Sequence, residues 1–162
     1  MEVEYNISED DYVKSAKLGA AATRKQFVWL GIIGFALLVL GLFGPDSMKI
    51  IGYLGFVGGI LGYFVTVNLI CPWQAKKNYR NYKTIQQRLK LELTEGGFTI
   101  RAESGLSDVK WEHLLKWREN KDIILVFFAP KMYYLVPKRV SDAGFDVEVF
   151  RHLLREKLGP QT

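Results

Sequence analysis

The sequence predicts an α+β membrane protein, in which a two-helix transmembrane hairpin precedes a cytoplasmic antiparallel sheet domain that ends in a helix. Two long apolar runs stand close together, nearly all charges lie outside them, and the C-terminal half alternates apolar and polar residues. The net charge of +5 and the 49% hydrophobic content are ordinary for a chain of 162 residues. The segregation of the charges, rather than their total, therefore indicates the class.

Two apolar runs carry the prediction of a hairpin over residues 27–71. Residues 27–43, FVWLGIIGFALLVLGLF, are 17 residues without a charge, and residues 50–71 are 22. At about 1.5 Å per residue the two helices would be about 25 and 33 Å long, which brackets a hydrocarbon core of roughly 30 Å. Gly44 and Pro45 favour a helix end in the link. A cleaved signal peptide is not expected, because acidic residues precede the first run and no cleavage site follows Phe43.

The basic residues that flank the two runs predict the orientation of the hairpin. They lie before the first run and after the second, whereas the link has only Lys49: Lys14, Lys17, Arg24 and Lys25, then Lys76, Lys77, Arg80 and Lys83. The positive-inside rule places both termini in the cytoplasm. Trp29 and Trp73 are predicted to anchor the two helices at the same inner interface, where indole rings are enriched.

Glycines at four-residue spacing characterise the second run. Gly55 and Gly59 form one G-x-x-x-G pattern, and Gly58 and Gly62 form another. Such glycines let helix backbones approach closely, so we expect them to pack the two spans against each other. A homo-oligomer built on the second span remains the alternative. Neither run contains an ionisable residue other than Cys71 and the tyrosines, which argues against a transporter or channel but leaves a passive oligomeric pore open.

The segment before the hairpin, residues 1–26, predicts a strand and a helix on the cytoplasmic side. Residues 3–7 alternate in the period of a half-buried strand, and Ser8 with Asp11 matches a capping box before a helix that starts near Glu9. The pattern allows this helix to run unbroken into the first span. A lone strand needs a sheet to join, and the sequence leaves open whether it joins the C-terminal sheet.

The C-terminal part, residues 89–162, predicts six strands and a terminal amphipathic helix. The strands are expected at residues 89–93, 98–102, 109–111, 115–117, 123–128 and 132–136. After Pro137 an apolar stripe predicts the helix: Val149, Phe150, Leu153 and Leu154. Trp111 and Trp117 are predicted to be core residues, with a binding surface as the alternative.

A basic juxtamembrane segment, residues 72–88, connects the hairpin to the strands. It carries five positive charges without an acid, and these are the candidate contacts to anionic lipid headgroups: Lys76, Lys77, Arg80, Lys83 and Arg88. A topology signal without a lipid role explains them equally well. Nucleic acid is not expected as a partner, because the bilayer is the closer polyanion. Lys138 and Arg139 would extend this basic surface if the fold turned them towards the membrane.

Residues with catalytic chemistry do not form a recognisable pattern. His113 and His152 are the only histidines, Cys71 is the single cysteine, and no metalloprotease, dithiol, nucleophile-elbow or P-loop motif is present. Glu112 beside His113 is expected to point to the opposite face of a strand. We therefore predict no catalytic residue, no metal, no cofactor and no enzymatic activity.

Several segments of the chain resemble the YcxB-like family of small bacterial membrane proteins. The resemblance spans nearly the whole chain, from the two spans through LELTEGGFTI, VKWEHLLKWRENKDIILVFF and YYLVPKR to the closing helix. It implies a C-terminal pleckstrin-homology-like module, that is, a bent antiparallel sheet capped at one end by a C-terminal helix, and a location in the bacterial inner membrane. It implies no catalytic residue, and a fold alone does not define a function.

Three hypotheses about function follow from these features. The first is a non-enzymatic interaction module that a membrane anchor holds at the cytoplasmic face of the inner membrane, where it binds lipid headgroups or an unknown protein partner. The second is an immunity-type or inhibitor protein against a toxin or a membrane enzyme. The third is an oligomeric pore or transport accessory built on the glycine-rich span.

Overall fold

The computed structural model describes residues 1–161 as a helical hairpin joined to a domain of two antiparallel sheets. The α-helices of this part of the chain are α1 (Glu9–Ala20), α2 (Arg24–Phe43), α3 (Asp46–Val65), α4 (Cys71–Asn81) and α5 (Val147–Leu158). The strands are β1 (Glu2–Asn6), β2 (Arg88–Thr94), β3 (Gly97–Ala102), β4 (Gly105–Lys110), β5 (Lys116–Glu119), β6 (Ile123–Ala129) and β7 (Met132–Pro137).

Helices α2 and α3 form the hairpin, and both are long and apolar enough to cross a membrane. They pack against each other most closely near the link, where a β-carbon on Gly52 would lie 2.4 Å from the backbone nitrogen of Gly41 and 2.7 Å from the carbonyl oxygen of Leu37. Only glycine fits at Gly52, because its neighbours are backbone atoms. Most of their large apolar side chains are exposed, as lipid-facing helices require.

The second apolar helix does not end where the apolar residues end. A turn of π-helix, Thr66–Ile70, joins α3 to α4, so that one helix runs from Asp46 to Asn81. Thr66 and Asn68 donate their side-chain hydrogen bonds to carbonyl oxygens four residues earlier in the same helix. The first ten residues of the juxtamembrane segment, 72–81, therefore continue the second apolar helix.

The N-terminal segment is part of the sheet domain. Strand β1 pairs antiparallel with β2, with Val3 opposite Leu91 and Tyr5 opposite Leu89, which answers the question that the sequence left open. Helix α1 has the predicted capping box of Ser8 and Asp11. It ends at Ala20, however, and a second capping box of Thr23 and Gln26 starts α2. An unbroken helix from Glu9 into the first span was therefore the wrong expectation.

The seven strands form two sheets, ordered β1-β2-β3-β4 and β5-β6-β7, rather than one. Their shared core includes Phe98, Ile124, Val126 and the helix α5 residues Phe150 and Leu154. Edge-to-face contacts join Phe98 to Phe150 and to Tyr134 at ring-centroid distances of 5.7 Å. The mixed α+β class and the strands are confirmed.

Both tryptophans of the sheet domain are core residues, as predicted, with 8% of Trp111 and 1% of Trp117 exposed. Trp117 donates its indole N–H to the carbonyl oxygen of Gly159 at 2.9 Å, which ties β5 to the end of α5. Several strand boundaries differ from the prediction, since β1 is Glu2–Asn6, β4 is Gly105–Lys110 and β5 is Lys116–Glu119. Trp111 lies in a 3-10 turn, Trp111–His113, between β4 and β5 instead of in a strand.

We expect Gly52→Ala to destabilise the hairpin by about 1 to 3 kcal/mol, because the added methyl group would overlap backbone atoms of α2 and force the helices apart. Gly58→Ala is the matched control, since a β-carbon there has no neighbour within 4 Å. Thermal unfolding in detergent measures both variants. Equal melting temperatures for the two would contradict the close contact at Gly52.

Candidate functional site: helix α1 between the juxtamembrane helix and the sheet domain

Helix α1 lies between helix α4 and the outer face of the β5-β6-β7 sheet, and its contacts connect the hairpin to the sheet domain. We call α1, α4 and the facing side chains of this sheet the docking site. Its apolar part consists of Ile123, Leu125, Phe127 and Leu135 on the sheet, with Ile7 and Leu18 packed against them. Because these four sheet residues are buried, α1 replaces solvent on that face.

Helix α4 holds α1 through polar and aromatic contacts. Tyr79 donates its hydroxyl to the carbonyl oxygen of Ile7 at 2.9 Å, and its ring lies 6.1 Å from that of Tyr12. Arg80 pairs with Glu9 at 3.0 Å, and Ala75 is buried at 3% exposure, which lets the two helices approach. These residues bring the juxtamembrane helix and α1 together in antiparallel directions.

An ion pair with a buried carboxylate fixes the first turn of α1. Asp11 is 4% exposed. Arg139 donates to its Oδ1 at 2.6 Å and to the carbonyl oxygen of Asn6 at 2.7 Å, while Ser8 donates to Oδ2 from its backbone and its hydroxyl. Burial raises the pKa of Asp11, but the bonds from Arg139 and Ser8 outweigh it and hold that pKa below 3.8, the usual value of an aspartate.

A buried arginine fixes the last turn of α1. Arg118 on β5 is 4% exposed and donates from Nη1 to the carbonyl oxygens of Leu18 at 2.9 Å and Ala21 at 2.8 Å. These carbonyls lack partners within the helix, and a cation at the C-terminal end complements the helix dipole. Its Nε is buried without a hydrogen-bond partner. The two bonds to the end of α1 therefore hold the Arg118 side chain in place, although its Nε makes no hydrogen bond there.

Between these two ends, side chains of α1 contact the sheet directly. The hydroxyls of Ser15 and Tyr133 lie 3.3 Å apart, and a β-carbon on Gly19 would lie 3.2 Å from the Tyr133 ring. Lys14 pairs with Asp122 at 2.9 Å. Ser15 and Gly19 are the small residues that let the Tyr133 ring approach the helix.

The two basic residues after Pro137 form ion pairs with carboxylates of the protein itself and do not extend the basic surface of the juxtamembrane segment. Arg139 pairs with Asp11, as described, and Lys138 pairs with Glu119 at 2.7 Å. Arg151 of α5 also binds Glu119, at 3.0 Å. Burial raises the pKa of Glu119, but Lys138 and Arg151 outweigh it and lower that pKa below 4.5. An extension of the basic surface by Lys138 and Arg139 is therefore not what the structure shows.

The five candidate headgroup contacts lie in three different elements. Lys76, Lys77 and Arg80 are on α4, Lys83 is in a 3-10 turn that follows it, and Arg88 begins β2 opposite Asn6. Lys77 lies over the ring of Trp73, with Nζ 5.5 Å from its centroid. Lys76 and Lys77 are the two nearest to the apolar part of the helix. Arg80 is partly neutralised by Glu9.

The two predicted interface anchors, Trp29 and Trp73, are both exposed, at 65% and 64%. The contacts of Gly41 with Gly52 and of Leu37 with Gly55 place Trp29 at the level of Tyr63. Trp73 lies roughly 15 Å further along the helix axis, at about 1.5 Å per residue. That both indole rings lie at one membrane interface stays a prediction.

The predicted helix-packing glycines divide into two groups. Gly55 contacts Leu37 of α2, with 3.2 Å between a β-carbon there and Leu37 Cδ2. At Gly58, Gly59 and Gly62 a β-carbon would have no neighbour within 4 Å. The closest packing falls instead on Gly41 and Gly52, which are not part of either G-x-x-x-G pattern. Their place next to the link is what brings them together.

In residues 1–161, no group of three His, Cys, Asp or Glu side chains could hold a metal ion. Glu112 and His113 do not point to opposite faces as expected. Both lie in the 3-10 turn, 3.6 Å apart and more than half exposed. That the chain has no catalytic residue stays a prediction.

Sequence reasoning missed Arg118, Tyr133 and the break between α1 and α2. The break was readable, because TRKQ at Thr23 to Gln26 is a capping box. The sequence also indicated that a further element covers the second face of this sheet, because IILVFF at residues 123–128 is apolar on both faces of a strand. Arg118 alternates with Trp117, and that pattern gave no signal other than an outward-facing charge.

The fold and the docking site define a class of protein in which an apolar helical hairpin is joined, through its own extended helix, to a mixed α+β domain. Residues 93–154, from the end of β2 to α5, match the model of the family described as YcxB-like protein. This confirms the family resemblance for the sheet domain, and the matched range contains neither the hairpin nor α1. Neither the curated proteins nor the solved structures contain a match to the chain.

We expect the docking of α1 to weaken in acid. Folding lowers the pKa values of Asp11 and Glu119. Their contribution is therefore complete above the unfolded-state values of 3.8 and 4.5 and is lost as the pH falls through the lower folded-state values. Denaturant titrations in detergent, followed from neutral pH into this range, should show a falling free energy of unfolding.

We expect Asp11→Asn to lower the free energy of unfolding at neutral pH by about 1 to 3 kcal/mol, because a charged hydrogen-bond acceptor is lost, and to flatten the acid dependence. Asp142→Asn is the matched control, since Asp142 is exposed and contacts only Ser141, at 3.5 Å. An acid dependence that is as steep in Asp11→Asn as in the wild type would show that Asp11 is not responsible.

Proposed function

We propose that the protein is a non-enzymatic interaction module that its helical hairpin anchors in a membrane and that presents a pleckstrin-homology-like domain at the cytoplasmic face. One observation carries this proposal: helix α4 continues the second apolar helix without a break and is joined through α1 to the sheet domain. A domain attached in this way stays close to the bilayer, where its local concentration for a membrane target is high.

The arrangement of the strands supports the pleckstrin-homology-like part of the proposal. Four strands form one sheet, three form the other, and α5 packs on their shared core through Phe150 and Leu154. This is a sheet domain closed by a C-terminal helix, as the family resemblance implies. Insertion of α2 and α3 into lipid is supported by their apolar surfaces and by the placement of basic residues on one side of the hairpin.

Binding of anionic headgroups by the juxtamembrane helix is part of the proposal. Lys76 and Lys77 lie about one turn beyond Cys71, the last residue of the apolar run, and both are exposed. Each basic side chain near an anionic surface contributes about 1 kcal/mol. Arg80, Lys83 and Arg88 lie further along the chain, so we assign them a smaller part in lipid binding.

The proposed orientation is tested by cysteine labelling in intact cells. In a Cys71→Ser background, Ser47→Cys, in the exposed first turn of α3 next to the link, should react with an impermeant maleimide added outside, because the link faces out. Lys121→Cys, in the exposed turn between β5 and β6, should react only after the membrane is opened. Labelling of Lys121→Cys from outside would overturn the orientation.

The partner is tested by crosslinking capture from native membranes. The full chain should enrich a defined protein, and a chain that ends after residue 82, which retains the hairpin and α4, should lose it. Recovery of the same proteins by both chains, or of lipid alone, would remove the case for a protein partner. A toxin or a membrane enzyme among the captured proteins would favour the inhibitor hypothesis instead.

A homo-oligomer remains a second hypothesis because Gly58 and Gly62 face open space on the hairpin. In the Cys71→Ser background, Gly58→Cys should form a disulfide-linked dimer in membranes if a second copy packs on this face. Val39→Cys, on an exposed position of α2, is the control. Equal dimer yields at both positions would indicate random collision and count against an oligomeric pore.

A further inference from the structure

One end of the β5-β6-β7 sheet combines exposed apolar side chains with lysines. Leu115 donates its backbone N–H to the carbonyl oxygen of Phe127 at 2.8 Å, and Lys116 stands opposite Phe127. Met132 stands opposite Ala129 across the turn of the β6-β7 hairpin, and Lys131 lies in that turn. The strand register therefore collects these side chains at one end, which we call the sheet tip: Leu115, Lys116, Lys131 and Met132.

The sheet tip has the chemistry of a surface that enters a polar lipid layer. Leu115 and Met132 are each 57% exposed, which is unusual for large apolar residues outside the hairpin. Lys116 extends over the Phe127 ring, with Nζ 5.1 Å from the centroid. Within residues 1–161, neither Lys116 nor Lys131 has a carboxylate within 4.0 Å. Both charges are therefore available to an external anion.

The docking site determines which way the sheet tip faces. Helix α1 descends towards the hairpin, since Glu9 contacts Arg80 at the far end of α4 and the backbone N–H of Ala22 donates to the Tyr63 hydroxyl at 3.3 Å. Strand β7 is antiparallel to α1 and leads towards the hairpin from its C-terminal to its N-terminal end, because Arg139 lies at Asp11 whereas Tyr133 lies at Ser15 and Gly19. The sheet tip comes after Tyr133 in this direction.

The height of the sheet tip follows from these contacts. Between Asp11 and the Tyr133 contact, α1 advances about 9 Å towards the hairpin, at about 1.5 Å per residue. At the same rate, the two residues from Tyr133 to Lys131 add about 3 Å, so the sheet tip lies near the level of Gly19. Between the contacts of Glu9 with Arg80 and of Ala22 with Tyr63, this level falls beside the π-helical turn Thr66–Ile70, next to Cys71 at the end of the apolar run. A headgroup layer about 5 to 8 Å thick at the end of the apolar run therefore reaches the sheet tip.

We propose that the sheet tip is a second membrane contact, in which Leu115 and Met132 enter the headgroup layer and Lys116 and Lys131 bind anionic lipid headgroups. This inference rests on the proposed function, because it requires α2 and α3 to be in the bilayer. The contacts of α1 with α4 and with the sheet turn the sheet tip towards the hairpin and away from the open cytoplasm. Lipid is therefore the partner that the geometry favours.

The test uses fluorophores on single cysteines in the Cys71→Ser background, with the full chain reconstituted in vesicles of phosphatidylcholine with or without phosphatidylglycerol. A label at Met132→Cys should be quenched by lipids that carry a quencher at the headgroup, more strongly when phosphatidylglycerol is present. A label at Lys121→Cys, at the opposite end of the same sheet, should not be quenched. The double variant Lys116→Gln with Lys131→Gln should abolish the extra quenching at position 132, whereas Lys121→Gln should leave it unchanged.

A label at Phe35→Cys separates the two proposals, because Phe35 is an exposed residue of α2, at 69%. If a quencher on the acyl chains reaches position 35 while position 132 behaves like position 121, the sheet tip is not a membrane contact and the anchored hairpin stands. If position 35 is not quenched either, the hairpin is not in the bilayer and the proposed function fails with it.

Discussion

Strand β6 must be covered on both faces, and the rest of the architecture depends on this requirement. Ile124 and Val126 face the core shared by the two sheets, whereas Ile123, Leu125 and Phe127 face the other way and are as fully buried. Complete burial of such a side chain is worth about 1.5 to 3 kcal/mol. The helix that supplies this burial, α1, comes from the opposite end of the chain, so the sheet domain is complete only with the N-terminal segment.

The covering helix also carries the connection to the hairpin. Helix α1 leads into α2 through the short break at Ala21 to Thr23, and it packs along α4, which continues the second apolar helix. Both ends of the hairpin are therefore joined to the sheet domain by the same helix. A single tether would let the domain swing freely, whereas two attachments through one packed interface define its distance and its tilt.

Local signals predicted the fold better than they predicted the docking site. The apolar runs, the capping box of Ser8 and the alternation in the C-terminal strands each depend on neighbouring residues, and these elements are found as expected. The contacts of Arg118 and Tyr133 with α1 join residues that are about a hundred positions apart. A periodic pattern of apolar residues within one segment cannot predict such a pairing. For the same reason, four-residue spacing identified Gly55 but not Gly52, whose importance comes from the position of the link between α2 and α3.

The π-helical turn at Thr66–Ile70 has a rotational consequence. It lies between the apolar helix and α4, and each residue added to a helix turns everything beyond it by about 100° around the axis. The wider turn therefore sets the direction in which α4 faces around the axis of the second apolar helix. With one residue fewer there, the face of α4 that packs on α1 would turn about 100° away from it, so the five-residue turn keeps the two attachments of the hairpin in register with one domain.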